Sequence, residues 1–139
     1  MSLIQAIIKN PTRSLSMQNK GSSVVLTQNY ILDLVSGLAV LATSSSTRAT
    51  IIGVCNQSIA AADALTQVPV IDLFDQDVWI ADSTNNSDAT HNGQDMIIGA
   101  NAGVINNTGT TSAVGVVKQV GVYGAAADKK ILVKFLPAN

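Results

Sequence analysis

The sequence predicts an all-β protein, a compact small β-barrel or sandwich with an N-terminal arm. From Gly37 to Phe135, short runs rich in Val, Ile and Leu alternate with tracts of Ser, Thr, Asn, Asp and Gly. Short apolar runs bounded by turn-forming residues are typical of β-strands. All nine acidic residues are Asp, and Asp favours caps and turns, whereas Glu favours helices. Both observations favour strands joined by polar loops.

A chain of 139 residues is expected to form one domain with a substantial core. We divide it into an N-terminal arm or docking segment, residues 1–22, and a β-barrel domain, residues 23–139. The arm carries Leu3, Ile4, Ile7 and Ile8, which fit either one face of a short helix or an extended strand. Pro11 then interrupts regular structure, because the residue before a proline is pushed out of the helical region. We expect the arm to dock on its own domain, on a neighbouring subunit or on a larger partner.

Apolar runs and turn signals place the individual elements. Strands are predicted over 22–27, 38–43, 47–55, 68–73, 78–81, 96–98, 114–122 and 130–136. Residues 29–35 fit either a helix or a strand. Two hairpins are predicted, one joining 38–43 to 47–55 across three serines and one joining 114–122 to 130–136. The polar stretches 82–94 and 106–112 are predicted to be surface loops.

Composition and charge exclude several classes of protein. Net charge is −1, and the basic residues are scattered without interleaved aromatics, which argues against nucleic-acid binding. No apolar segment approaches the length of a membrane-spanning helix, and the N-terminus lacks the pattern of a signal peptide. The single cysteine cannot form an intrachain disulfide, so we expect a soluble product of a reducing compartment. A weakly charged surface is easiest to explain if an assembly covers part of it.

Residues that could carry chemistry are few, and none forms a recognisable motif. His91 is interpreted as a solvated loop residue, and Cys55 as a small buried hydrophobe. Asp72, Asp75 and Asp77 fall within six residues and could suggest a calcium site. The best linear match to a calcium loop is Asn86, Asp88 and Thr90, and it fails because His91 stands where the loop needs glycine and Ile97 where it needs Glu. Asp75 and Asp77 are interpreted as turn residues. A small hydrolase using Asp72, Asp75 and Asp77 is kept as an alternative. No catalytic, cofactor or metal residue is therefore assigned.

The order of motifs in the C-terminal two-thirds resembles that of the small head decoration, or cement, proteins of tailed bacteriophages. The similarity covers roughly residues 37–136, whereas residues 1–36 have no counterpart. It is carried by Ile51-Ile52-Gly53-Val54, Val68-Pro69-Val70-Ile71-Asp72-Leu73, Asp77-Val78-Trp79-Ile80-Ala81-Asp82, Asn92-Gly93-Gln94-Asp95-Met96, Ala113-Val114-Gly115-Val116-Val117 and Lys129-Lys130-Ile131-Leu132-Val133-Lys134-Phe135.

The resemblance implies a non-enzymatic structural protein without cofactors, a homotrimer that clamps neighbouring major capsid subunits on a phage capsid. Such a protein is made in the host cytoplasm and resides in the virion. Leu3, Ile4, Ile7 and Ile8 are the candidate partner-binding residues of the arm. Trp79 is a second candidate, either as a core anchor or as an interface anchor. The alternative is a carbohydrate- or receptor-binding β-barrel module of a phage tail or surface protein.

Overall fold

A computed structural model describes residues 3–7, 15–21, 23–61, 67–73, 77–108 and 115–137. Over these residues the chain forms eleven β-strands and two single-turn 3₁₀ helices, so the predicted all-β class is confirmed. The strands are β1 (Leu3–Ile7), β2 (Leu15–Asn19), β3 (Ile31–Val35), β4 (Leu38–Leu41), β5 (Ile51–Cys55), β6 (Gln67–Asp72), β7 (Val78–Ser83), β8 (Asp95–Ile98), β9 (Val104–Asn106), β10 (Val117–Val122) and β11 (Lys130–Phe135). The 3₁₀ helices are η1 (Ala89–His91) and η2 (Ala126–Asp128).

Five strands close into a small barrel in the order β7-β11-β10-β8-β9. The barrel closes because β9 pairs in parallel with the end of β7, at Asp82↔Val104 and Ser83↔Ile105. The predicted last hairpin is confirmed, since β10 and β11 are antiparallel neighbours. β1 adds a sixth strand by pairing with the earlier part of β7. β11 pairs with one edge of β7. β1 and β9 therefore both pair with the opposite edge of β7, one after the other along the strand.

The other five strands form a second sheet in the order β2-β6-β5-β3-β4. Its two outer strands approach each other where Lys20 bridges Ala39, and the Gly21 N–H donates to the Ala39 carbonyl at 3.0 Å. The residues predicted to form an N-terminal arm thus supply one strand to each sheet. The 29–35 ambiguity is resolved as a strand, β3.

The predicted hairpin between 38–43 and 47–55 is wrong. Both segments contain strands, β4 and β5, but β3 lies between them and pairs with each. The tight hairpin joins β3 to β4 instead, across Ser36 and Gly37, whose φ angles are 53° and 79°. Positive φ at both central residues defines a type I′ turn, whose twist matches that of paired strands. This two-residue turn fixes the β3–β4 pairing.

The predicted first strand over 22–27 is also wrong. Within its described residues only Leu26 takes part in β pairing, through an isolated bridge with Ile59. Conversely, the three-residue strand β9 was not predicted, because a short apolar pair between Gly and Asn carries little pattern. The loop predicted over 82–94 begins later, since Asp82 and Ser83 belong to β7 and are buried.

Two apolar clusters hold the sheets together. The barrel core contains Trp79, Met96, Ile105 and Ile131, together with the β3 residue Ile31 and other buried side chains. The second core is built around Leu32, Cys55, Val68 and Val70. Ile31 and Leu32 are consecutive and both fully buried, and alternate residues of a strand point to opposite faces. The β3 strand is therefore covered on both faces and joins the two cores.

Gly53 permits the close packing of β5 against β6. Its φ is +156°, and a Cβ atom there would lie 2.3 Å from the Ile71 carbonyl oxygen and 2.5 Å from Val70 Cγ1. The β3–β5 register shifts beside it, since Leu32 pairs with Gly53 but Asp33 pairs with Ile51. A bulge with glycine at such a position bends the strand. Only glycine fits this site without displacing β6.

Candidate interaction surface

The N-terminal candidates lie on an edge strand of the barrel sheet. β1 runs antiparallel to β7, with Leu3 opposite Ala81, Ile4 opposite Ile80 and Ile7 next to Val78. Among the described strands β1 pairs with β7 alone. The second edge of β1 is therefore an open edge of this sheet, and an open edge is a template for pairing with another strand. Ile8 lies outside the described residues.

Trp79 does not belong to an interaction surface. Its side chain is 1% exposed and packs edge to face against Phe135, with ring centroids 5.9 Å apart and planes at 89°. Perpendicular aromatic pairs at this separation add stability beyond the burial of their area. The assignment of Trp79 to a partner-binding site is thus wrong. β7 is covered on its inner face by the barrel core, and Trp79 points into that core.

The outward face of the β10–β11 hairpin carries the apolar surface that sequence reasoning missed. Val120 and Tyr123 are 38% and 49% exposed. Val122 is 36% exposed but lies opposite the buried core residue Ile131, so it belongs to the other face of the sheet. The β10–β11 register shifts between Gln119 and Gly121, which leaves Val120 as the extra residue of a bulge. Bulges commonly re-aim a side chain. Here the bulge lies immediately after Gln119, which is fully buried.

An apolar row crosses this face from strand to strand. Leu132 of β11 lies opposite Ile80 of β7 on one side and Gly121 of β10 on the other. Both Leu132 and Ile80 are half-buried and flanked in sequence by buried residues, so both point outward. The row therefore begins at Ile80 of β7 and ends beside the bulge of β10. Ile4 of β1 occupies the next register position beyond Ile80.

Lysines surround the apolar row. Lys118, Lys129, Lys130 and Lys134 all belong to this hairpin, whose only acid is Asp128. Two lysines are paired: Lys118 Nζ lies 2.9 Å from Asp95 Oδ1, and Lys130 Nζ lies 2.6 Å from Asp82 Oδ1. Asp95 also meets the Arg48 guanidinium at 3.5 Å. Lys134 of β11 lies directly opposite Lys118 of β10. Like charges directly opposite each other on paired strands are unfavourable.

The polar loop that carries His91 is tied to the end of the barrel. Gln119 is fully buried, and its Nε2 donates to the Asp88 carbonyl at 2.8 Å and to Asn92 Oδ1 at 2.9 Å. Asp88 caps η1 by accepting from the Thr90 hydroxyl and N–H. These hydrogen bonds lower the pKa of Asp88, with a smaller contribution from His91. The His91 Nε2 lies 3.9 Å from Asp88 Oδ2, so this histidine is part of a capped turn.

The other residues considered for chemistry, Cys55 and the aspartates of the 72–77 stretch, are buried or hydrogen-bonded within the fold where the structure describes them. Cys55 is fully buried, burial raises the pKa of its thiol, and its Sγ donates to the Gln57 carbonyl at 3.0 Å. Asp72 accepts a 2.6 Å hydrogen bond from Ser16 Oγ, which joins β6 to β2. Asp77 is buried, whereas Asp75 lies outside the described residues. Among the described residues, no three His, Cys, Asp or Glu side chains come together as a possible metal site.

Comparison with known proteins adds no family to this geometry. No protein-family model matches the sequence, and no curated protein is similar to it. None of the helices in the described part of the chain has the length and apolarity to span a lipid bilayer. The function must therefore be argued from the surfaces themselves. These are the open edge of β1 and the apolar, lysine-bordered face of the β10–β11 hairpin.

Proposed function

We propose that the protein is a structural virion protein that decorates a phage capsid and stabilises it by clamping neighbouring major capsid subunits. It acts as a homotrimer on the capsid surface, without a cofactor and without catalysis. The observation that carries the proposal is the placement of β1. Four of the five residues of this strand are apolar. It is the edge strand of the six-stranded sheet that contains the barrel, and it pairs on one side only among the described strands.

The open edge of β1 suits attachment to a protein shell. Strand addition to an exposed edge supplies backbone hydrogen bonds without requiring a deep pocket. A trimer would present three such edges, so that modest contacts to several capsid subunits add through avidity. The weakly charged composition, 12% Asp, Lys and Arg, also fits a surface that is partly covered in an assembly.

The alternative, a carbohydrate-binding module, has less support. Sugar sites of β-barrel modules use exposed aromatic rings, since each ring offers a large, flat apolar face. Trp79 and Phe135 are buried together, and Tyr30 is half-buried. Tyr123 is the one largely exposed aromatic side chain in the part of the chain that the structure describes. A single tyrosine does not form a platform for a sugar chain.

The test is cosedimentation with shells assembled from the major capsid protein of the same phage. We expect the full chain to bind these shells as a trimer, and a variant lacking residues 1–7 to lose at least tenfold in affinity because β1 is removed. Circular dichroism and thermal unfolding of the truncated protein show whether the barrel still folds. Full affinity in a folded truncated variant would contradict the role of β1, and a wild-type chain that binds no shell would contradict the function itself.

A further inference from the structure

The β10–β11 hairpin carries an excess of positive charge that the rest of the chain does not share. Its four lysines against one aspartate give the segment 117–135 a formal charge of +3, whereas the whole chain carries −1. The remaining residues are therefore net acidic by four charges. Half of the eight basic residues of the chain lie on this one hairpin. Such local asymmetry in a nearly neutral chain creates a directed surface potential.

Part of this charge has no counter-charge among the residues that the structure describes. Lys130 pairs with the buried Asp82, and Lys118 pairs with Asp95. By contrast, no ion pair involves Lys129 or Lys134 among the described residues. Lys129 follows η2 in a left-handed conformation, with φ 54°, and is exposed. Lys134 faces Lys118 across the strand pair. An external acidic group beside Lys134 would supply the counter-charge that the described residues do not.

The apolar residues of the same face form a continuous strip. Leu132 packs over Gly121, where an added Cβ would lie 3.2 Å from Leu132 Cδ1, so the centre of the hairpin stays flat. Val120 and Tyr123 project at one end with 38% and 49% of their surface exposed. Of the six large apolar side chains that are most exposed in the described residues, Val120 and Tyr123 belong to this face. An apolar centre bordered by cations is the complement of an apolar patch bordered by acids.

We infer that the outward face of the β10–β11 hairpin is a docking face for an acidic protein surface, with Val120 and Tyr123 as its apolar contacts and Lys129 and Lys134 as its charge partners. This inference rests on the proposed function, and names the hairpin as the face that meets the capsid shell. A protein fits better than a nucleic acid, because exposed valines offer nothing to phosphates and one aromatic ring cannot stack successive bases. In the sheet order only β7 separates β1 from the hairpin strand β11.

The experiment measures cosedimentation of the full chain and four variants with shells of the major capsid protein. Val120→Asp and Lys134→Glu are each expected to weaken shell binding at least tenfold, whereas Lys134→Arg retains wild-type affinity because it keeps the charge. Val35→Asp is the matched control: Val35 is 53% exposed on β3 of the other sheet, and its replacement should leave binding unchanged. Raising salt from 50 to 500 mM should weaken the wild-type complex more than the Lys134→Glu complex.

The results that would overturn the docking face can be distinguished from those that would overturn the proposed function. If the wild type binds shells and Val120→Asp and Lys134→Glu bind equally well, the docking face is wrong while the proposed function stands. If the wild type binds no shell, the proposed function fails and the docking face with it. If Val120→Asp instead abolishes trimer formation in sedimentation analysis, the face joins copies of this chain. Binding of a double-stranded DNA oligonucleotide at physiological salt that is lost in Lys134→Glu would assign the lysines to nucleic acid.

Discussion

At the residue scale, Gly53 is the position where a single methyl group should disturb the fold most directly. A Cβ atom there would overlap the Ile71 carbonyl oxygen, which belongs to the backbone of β6 and cannot swing away. Overpacking of a well-packed site costs roughly 1–3 kcal/mol. We expect Gly53→Ala to lower the free energy of unfolding by at least this amount, measured by urea denaturation.

Gly93→Ala is the control for Gly53→Ala. It measures the cost of placing alanine at a positive φ where no atom would overlap its Cβ. Gly93 also has a positive φ, +89°, but nothing lies within 4 Å of the position its Cβ would take. Its replacement should therefore lower the free energy of unfolding only by the cost of a positive φ in a non-glycine residue, about 1 kcal/mol. Equal destabilisation by the two substitutions would show that β5 and β6 are not as closely packed at Gly53 as the geometry indicates.

At the element scale, Lys20 holds together the end of the second sheet. Its side chain is fully buried, and its Nζ donates to the Gly21 carbonyl at 2.9 Å and to the Val24 carbonyl at 2.8 Å. The same residue forms the bridge to Ala39. Lys20→Met keeps the length of the side chain but leaves two carbonyls without their donor, which costs about 1–3 kcal/mol. We expect a corresponding loss of stability in urea unfolding.

The control for Lys20 is a lysine whose head group lies at the surface. Lys118 is 41% exposed and pairs with Asp95 on the barrel, and exposed pairs of this kind contribute little. Lys118→Met should change the free energy of unfolding by less than Lys20→Met does. If the two variants are equally stable, Lys20 does not hold the sheet through its hydrogen bonds.

The elements also show how far the sequence could predict this fold. Runs such as 68–73 and 130–136 were predictable because they are long, apolar and bounded by turn residues. The pairing of β4 with β5 was predicted wrongly, since sequence neighbours usually pair but β3 comes between them. The type I′ turn at Ser36 and Gly37 was the local signal for the correct hairpin. β9, with three residues, was too short to leave a pattern.

The candidate site was less predictable than the fold. The apolar character of Leu3, Ile4 and Ile7 marked the N-terminal segment, but only the register with β7 shows it as an edge strand. Trp79 could be interpreted as either a core anchor or an interface anchor, because exposure cannot be determined from sequence when both neighbours are apolar. The docking face escaped notice because it is assembled across strands. Leu132 and Ile80 are far apart in sequence and become neighbours only through the β7–β11 register.

At the scale of the whole molecule, the two sheets should unfold as one unit. Their cores are separate clusters, but β3 and β5 contribute to both, through Ile31 and Val54 to the barrel core and through Leu32 and Cys55 to the second core. Neither strand can leave one core without leaving the other. A chain of this size with shared strands is expected to unfold in a single cooperative transition.

The sequence supplies one natural probe for each core. Trp79 is the only tryptophan and lies in the barrel core, and Cys55 is the only cysteine and lies in the second core. Burial raises the pKa of the Cys55 thiol, so at neutral pH the native thiol stays protonated and should not react with a thiol reagent. We expect tryptophan fluorescence and pulsed thiol labelling to report the same urea midpoint. The Cys55→Ala variant gives the labelling background. Labelling of Cys55 at urea concentrations where Trp79 fluorescence is still native would show that the second sheet opens independently, and that β3 and β5 do not couple the two cores.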